Sequence, residues 1–492
     1  MRRRTVLGAA VVAAVGATLS STPGAHADTS LAVDPTSRWG RWEGWGTSLA
    51  WLGQAYGDRD DLADIFFTDS DVAYNGVTLP GLGLTIVRYN AGACTWGTVA
   101  GQSMVVSPKI QRSRQMAGFW LDPDSTDPAS ASWDWTVDAD QRAMLIKARD
   151  RGVDLIELFS NSPMWWMCVN HNPSGSDDGA SDNLQAGDRP EHAAYLATIA
   201  QYAHDHWGID FDYIDPFNES ISTYWKATGT QEGCHFDATT QATVINDLHS
   251  ELAGRGLGGT KITASDENTV TLARTVWQSY PADVQAKVAK INTHGYGYER
   301  AGRAELYAAA QLTNRGLWNS EYGDGDGTGL RLATNLTLDL RQLHPTAWIY
   351  WQVLDGGGWG LIQADENAAD GPTVGAVNAK YYVLAQFTRH IRPGMIIIDG
   401  GGDQTVAAYD QDQHRLVLVT TSTTAQTISY DLSRFGSVAG GPGGLVRRWV
   451  TSTTGTQAYE RFSDTYLTGS TFSRAFDANT IQTFEIDDVT LP

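Results

Sequence analysis

Apolar runs of strand length recur along the first three quarters of the chain, and each is followed by a cluster of polar, aromatic or glycine residues. Eight stand out, at residues 42–52, 84–90, 154–159, 211–217, 261–264, 290–293, 316–319 and 347–353. Their near-continuous apolar character is that of strands buried on both faces. Between them lie segments with helix signals: 140–151 stops at Gly152, and 191–207 follows Pro190 and stops at Gly208. Strands alternating with helices eight times predict an α/β fold, a (β/α)8 TIM barrel over residues 39–385. In that fold the chemistry sits where strands end and helices begin.

From residue 386 to 492 the texture changes. Runs at 405–409, 415–420, 426–430, 445–450 and 481–486 are short, β-branched and separated by Gly, Asp or Ser, with no helical period. They predict a C-terminal antiparallel β-sandwich domain. No flexible linker precedes it, so the junction is expected to be rigid, and few exposed-looking aromatics favour a structural role for the domain.

Residues 1–27 read as an export signal: Arg2, Arg3 and Arg4, an apolar run over 6–19, then Ala25-His26-Ala27 as a small-x-small cleavage pattern. The run is too short to span a bilayer. The arginine pair suits the twin-arginine route, and the expected location is secreted and extracellular, with no membrane association. The leader holds three arginines and no acids, so the remainder carries 32 basic against 56 acidic side chains. Such a field repels nucleic acid and acidic polymers and favours a neutral or cationic ligand, although acidity also serves solubility alone.

Cys94, Cys168 and Cys234 allow one disulfide between neighbouring loops, and Cys168 with Cys234 is the pairing favoured, leaving one thiol over. No C-x-x-C or H-E-x-x-H occurs, and the acidic loops 122–127 and 324–326 lack full calcium-loop spacing and read as solvated loops. No metal or cofactor is expected. A monomer is the default state.

Two strand ends carry the candidate chemistry. FDYIDPFNES at 211–220 ends in Asn218-Glu219, and GLWNSEYG at 316–323 presents Glu321. Cleaving a glycosidic bond with retention requires two carboxyl groups about 5 Å apart, and parallel strands of one barrel can hold that spacing. A single strand-end glutamate would more often cap a helix or pair with an arginine; two on matching ends outweigh that reading. Asn218 suits a hydrogen bond to a sugar 2-hydroxyl, and Arg88 suits a pairing that keeps a nucleophilic carboxylate ionised. His294, Tyr296 and Tyr322 are placed to bond that carboxylate or the sugar. Of eighteen tryptophans, Trp165, Trp166, Trp225, Trp351 and Trp359 follow or end strands and are expected at the barrel mouth, where flat rings pack against sugar C–H faces. Trp42, Trp45 and Trp348 are expected in the core.

With these motifs together, the chain resembles glycoside hydrolase family 30 of the retaining clan A enzymes. The resemblance runs through WEGWGTSLAW, PFNES, WNSEYG, YWQ and the β-domain. It implies Glu219 as acid/base, Glu321 as nucleophile, and a β-domain completed by an N-terminal strand near Leu31, within residues 28–38. SEYGDGDGTGL and YWQVLDGGGWGL are most similar to the endo-β-1,6-galactanases of that family, implying the neutral β-1,6-galactan side chains of arabinogalactan as substrate. β-1,6-Glucan and xylan are alternatives. A non-catalytic carbohydrate-binding protein is the rival of another class, disfavoured by the intact set Arg88, Asn218, Glu219 and Glu321. A serine esterase on the same scaffold is a weaker rival still, since no G-x-S-x-G occurs in the chain.

Overall fold

A computed structural model describes residues 29–297, 301–454 and 456–492; the proposed export signal lies outside the described residues. Eight parallel strands close into a barrel: β1 (Gly44–Ser48), β2 (Ile86–Asn90), β3 (Leu155–Phe159), β4 (Tyr213–Asp215), β5 (Lys261–Glu267), β6 (Val288–His294), β7 (Gly316–Tyr322) and β8 (Ala347–Tyr350). All eight expected strands are present. β1, β4 and β8 are shorter than their apolar runs because the flanking residues pack as loops, whereas β5 and β7 run on into polar residues. The helix expected at 191–207 forms as Arg189–Tyr202 and continues as a π-turn to Trp207, ending at Gly208 with φ 63°.

The barrel interior is stacked in layers. At the lower end Ile86, Trp318, Ala347 and Ile349 form an apolar plug. Above it, where β2 pairs with β3 in the register Arg88 to Glu157, lies a layer of buried ions. Trp42, Trp45 and Trp348 are 1% exposed and belong to the core between barrel, helices and β-domain, as expected. Burying a large side chain of this kind contributes about 1.5–3 kcal/mol each.

The β-domain is a sandwich of a seven-stranded and a three-stranded sheet. The N-terminal segment contributes two strands where one was expected. Thr29–Ala32 pairs in parallel with Gln426–Asp431, and Asp34–Arg41 pairs antiparallel with Ile396–Asp399, so it joins one sheet and then the other. Leu31, Tyr430, Phe472 and Phe484 fill the space between the sheets. The opposite face of the larger sheet, with Val406, Val417, Val419 and Ile481, is continuous with the barrel core. Thr483 and Thr451 bond Gln386 of the last barrel helix, so barrel and sandwich share one packed junction.

Two loop expectations are corrected. Cys94, Cys168 and Cys234 are all free and buried. Cys168 Sγ lies 3.7 Å from the carbonyls of Pro163 and Met164, Cys234 Sγ faces the carbonyl of His235, and Cys94 Sγ donates to Glu232, so each thiol is used locally as a weak donor. Asp324 is not in a solvated loop: it is buried and pairs with Lys380 at 3.1 Å, while Asp326 caps Thr328.

Candidate active site

β4 ends early because Pro216 cannot donate to a ladder, and the chain leaves the barrel through Phe217, Asn218 and Glu219. Glu219 takes a left-handed backbone, φ 51°, and its N–H donates to the carbonyl of Asp266, itself at φ 58°. Left-handed backbone at a non-glycine residue costs on the order of 1–3 kcal/mol. Two such residues, bonded to each other across adjacent strand ends, aim the Glu219 carboxylate at the barrel axis. Glu321 needs no such device, since it stands within β7, opposite His294 of β6.

A carboxylate oxygen of Glu219, one of Glu321 and a ring nitrogen of His294 all lie within 4.8 Å of one another. Glu219 Oε1 accepts from His294 Nδ1 at 3.0 Å and from Asn268 Nδ2 at 2.6 Å, and its Oε2 accepts from the Tyr224 hydroxyl. Glu321 Oε1 accepts from the Tyr296 hydroxyl at 2.8 Å, and Oε2 is 3.4 Å from Arg88 Nη1. Arg88 binds Asp266 and Glu157 more tightly, at 2.6 and 2.7 Å, so it is shared among three carboxylates. Burial, and then the charge of Glu219, push the Glu321 carboxyl up to about 7, against the pull of His294 and Arg88. Burial would lower the His294 ring, but Glu321 and Asp266 prevail and hold it protonated well above its ordinary range. Burial opposes ionisation of Asp266 too, yet Arg88 and His294 keep it far below the usual carboxylate range.

This constellation lies at the base of a cleft of about 560 Å³. Asn218 lines it, with a buried Oδ1 that has no hydrogen-bond partner among the described residues. Trp225, Trp351 and the 42% exposed Trp359 also line it. Trp165 and Trp166 do not. Both are buried in the core, their indole N–H groups satisfied by Thr95 and by the carbonyl of Trp120, because the loop after β3 turns inward beneath the mouth. Tyr322 is likewise corrected: it faces away from Glu321, fully buried against Trp348, and its hydroxyl donates to Asp324. Successive residues of a strand point to opposite faces, which separates Tyr322 from its neighbour.

Sequence reasoning passed over several residues of the site. Asp266 and Asn268 follow from letting β5 run three residues beyond Ala264, which places the DEN of positions 266–268 at a strand end. Tyr224 adjoins Trp225, and Trp51 closes the first aromatic run; both line the cleft. Lys109 and Arg114, from the long excursion after β2, and Asp355, on a two-residue strand after β8, had no local signal.

The carboxylates and His294 are close enough together to raise the question of a metal. Each ring nitrogen, however, faces carboxylate: Nδ1 toward Glu219 and Glu321, and Nε2 3.2 Å from Asp266. A ring protonated at both nitrogens has no lone pair to give a cation. The close carboxyl pair is instead that of a glycosidase working with retention, held at the C-terminal mouth of a TIM barrel. Residues 28–284 match the sequence profile of O-glycosyl hydrolase family 30, and the chain belongs to that family. It is 53% identical over 468 residues to an endo-β-1,6-galactanase of Hypocrea rufa, spanning 95% of this chain and 96% of that one. Among solved structures, a conserved exported protein from Bacteroides fragilis superposes with a TM-score of 0.73 at 17% identity, covering 93% of this chain and all of that one. The catalytic domain of GH30 xylanase C from Talaromyces cellulolyticus gives 0.66 at 20% identity, covering 93% and 99%.

Proposed function

We propose that this glycoside hydrolase cuts β-1,6-linked galactan side chains of arabinogalactan within the chain, by double displacement, as an exported enzyme. The substrate reading rests on the Hypocrea rufa relative, whose similarity extends over almost the entire chain. The mechanistic reading rests on one observation, the separation of at most 4.8 Å between carboxylate oxygens of Glu219 and Glu321, which suits a pair working through a covalent intermediate and falls short of the roughly 6.5–9.5 Å at which an inverting pair admits its water beside the sugar.

Two carboxyls this close share a proton. In the reactive arrangement it sits on Glu219, beneath the glycosidic oxygen, while Arg88 and the Tyr296 hydroxyl hold Glu321 ionised for attack on the anomeric carbon. Glu219 Oε1 is occupied by His294 and Asn268, so the proton leaves from Oε2, where the Tyr224 hydroxyl now rests. The C–O bond breaks as Glu321 bonds to the sugar, and the leaving oxygen takes the proton. Glu219, then ionised, draws a proton from water, which attacks the glycosyl ester and frees Glu321 with net retention. Trp351, Trp359 and Trp225 supply flat faces for the sugar rings, and Asn218 lines the cleft, where its amide meets a ring hydroxyl.

Product analysis tests this on de-arabinosylated arabinogalactan, with β-1,6-glucan and xylan alongside and the Glu321→Gln variant in parallel. Short β-1,6-galacto-oligosaccharides released by the unaltered protein alone are expected. Cleavage of glucan or xylan instead overturns the substrate, and full activity of Glu321→Gln overturns the mechanism.

A further inference from the structure

A second cavity, of about 460 Å³, opens where barrel and β-domain meet, and the proposed reaction uses none of it. Its walls are the hairpin over residues 71–80, the end of the last barrel helix at Arg389 and His390, and the sandwich residues Trp449 and Tyr459. The last helix, Ala379–Thr388, starts beside the cleft: its cap residue Asn378 donates to Gly357 and Gly360, which flank Trp359. The helix then runs back along the barrel, so the cavity lies roughly 15 Å from that end, the length of ten helical residues.

This cavity is built. Tyr459 holds a left-handed backbone, φ 58°, which no glycine relieves. Its hydroxyl is fixed by Arg389 Nε at 3.1 Å and by His390 Nε2 at 2.8 Å. His390 is tied in turn to Glu485 at 2.7 Å and packs against the Trp449 ring, with centroids 4.5 Å apart. Two partly exposed aromatic rings stand in the wall, while Asp69 and Asp71 are exposed at its rim, Asp71 only 3.7 Å from Arg389. Of its three carboxylates, Glu485 is taken up by His390, Arg415 and Arg447 and Asp71 lies near Arg389, while of its two guanidinium groups Arg461 is held by Asp464, so most of the charge in this cavity is already paired. A charged ligand gains little there. Aromatic rings flanked by both donors and acceptors suit a neutral polyhydroxylated ligand.

We infer that the junction cavity is a second glycan site, which holds a distant stretch of the same galactan polymer while the cleft cuts another. The identity of that glycan rests on the proposed function; the existence of the site does not. A chain held at two places gains effective concentration at the second, whereas a short oligosaccharide too small to reach both gains nothing.

Affinity electrophoresis of the full chain carrying Glu321→Gln tests this in gels containing de-arabinosylated arabinogalactan, β-1,6-glucan or xylan, with Trp449→Ala or the surface pair Asp69→Ala/Asp71→Ala added. Retardation by galactan is expected to weaken with either change. In the active enzyme both changes should raise KM on the polymer about tenfold while leaving hydrolysis of a β-1,6-galactotriose unaltered. Unchanged retardation in both variants overturns the site, as does an equal loss on polymer and triose. Retardation by glucan or xylan alone that disappears with Trp449→Ala sustains the site and removes galactan as its ligand. The Asp69/Asp71 variant, altered only at the surface, keeps the test decisive where Trp449→Ala disturbs folding.

Discussion

The two ends of the barrel interior treat charge in opposite ways. At the lower end Glu43 meets one base, Lys290, at 2.7 Å, and further accepts from Trp318, with the Lys290 ammonium 3.9 Å from the Trp318 ring centroid. At the upper end two cations, Arg88 and His294, serve four carboxylates, Glu157, Asp266, Glu219 and Glu321. Asp215 adds a fifth nearby, its carboxyl raised well above the usual range by burial and by Asp266 and Glu157. A balanced pair is a structural fastening. A surplus of acids keeps a proton in place at neutral pH, and that proton is what a glycosidase needs to deliver.

The largest expected effect removes the proton carrier. Glu219→Gln should lower kcat on galactan about a thousandfold, within the usual range for losing general acid catalysis. An aryl galactoside with an acidic phenol as leaving group needs no proton, so its glycosylation step, followed as a burst of phenol, should be nearly spared. In the unaltered enzyme activity should fall above about pH 7, where the shared proton is lost; with Glu219→Gln and the aryl substrate that alkaline limb should vanish. The acid limb, which then reports Glu321 alone, should lie below 7, because the charge of Glu219 that raised it has gone. Equal losses on both substrates would assign Glu219 a role other than acid.

Stability separates the two ends next. Arg88→Met strands Glu157 and Asp266 in a fully buried layer and should cost about 3–5 kcal/mol, together with activity. Lys290→Met leaves Glu43, whose side chain is 31% exposed, to water and its remaining donors, for about 1–2 kcal/mol and no change in kcat. Urea denaturation at neutral pH measures both. Equal costs would erase the distinction between the ends.

Much of this was legible in the sequence, and for a physical reason. Strands buried on both faces must be apolar, so the eight barrel strands announce themselves, and polar residues directly after them have few roles other than the mouth. Glu219, Glu321 and Asn218 were readable on that ground. Trp165 and Trp166 were misplaced because an indole fits core and cleft equally well, and only the inward turn of their loop decides. Tyr322 was misplaced because neighbours on a strand face opposite ways. Asp266 stayed hidden because β5 continues through polar residues that read as its end, and the second sandwich strand was missed because residues 34–41 carry almost no apolar pattern.

The smallest expected effect is the most direct test of the proton surplus. Folded Glu321 holds its proton up to about pH 7, whereas the unfolded chain releases it near 4.5, so between these values the native state binds more protons and stability falls as pH rises. Glu321→Gln has no proton to lose there, and its carbonyl can still accept from Tyr296. The variant should therefore gain in thermal stability relative to the unaltered protein from pH 4.5 upward, the gap levelling off above 7 at no more than about 3 kcal/mol. Melting curves of the two proteins at a series of pH values give that gap without any substrate. A gap independent of pH would mean that Glu321 ionises as readily folded as unfolded, and the upper end would then be as balanced as the lower.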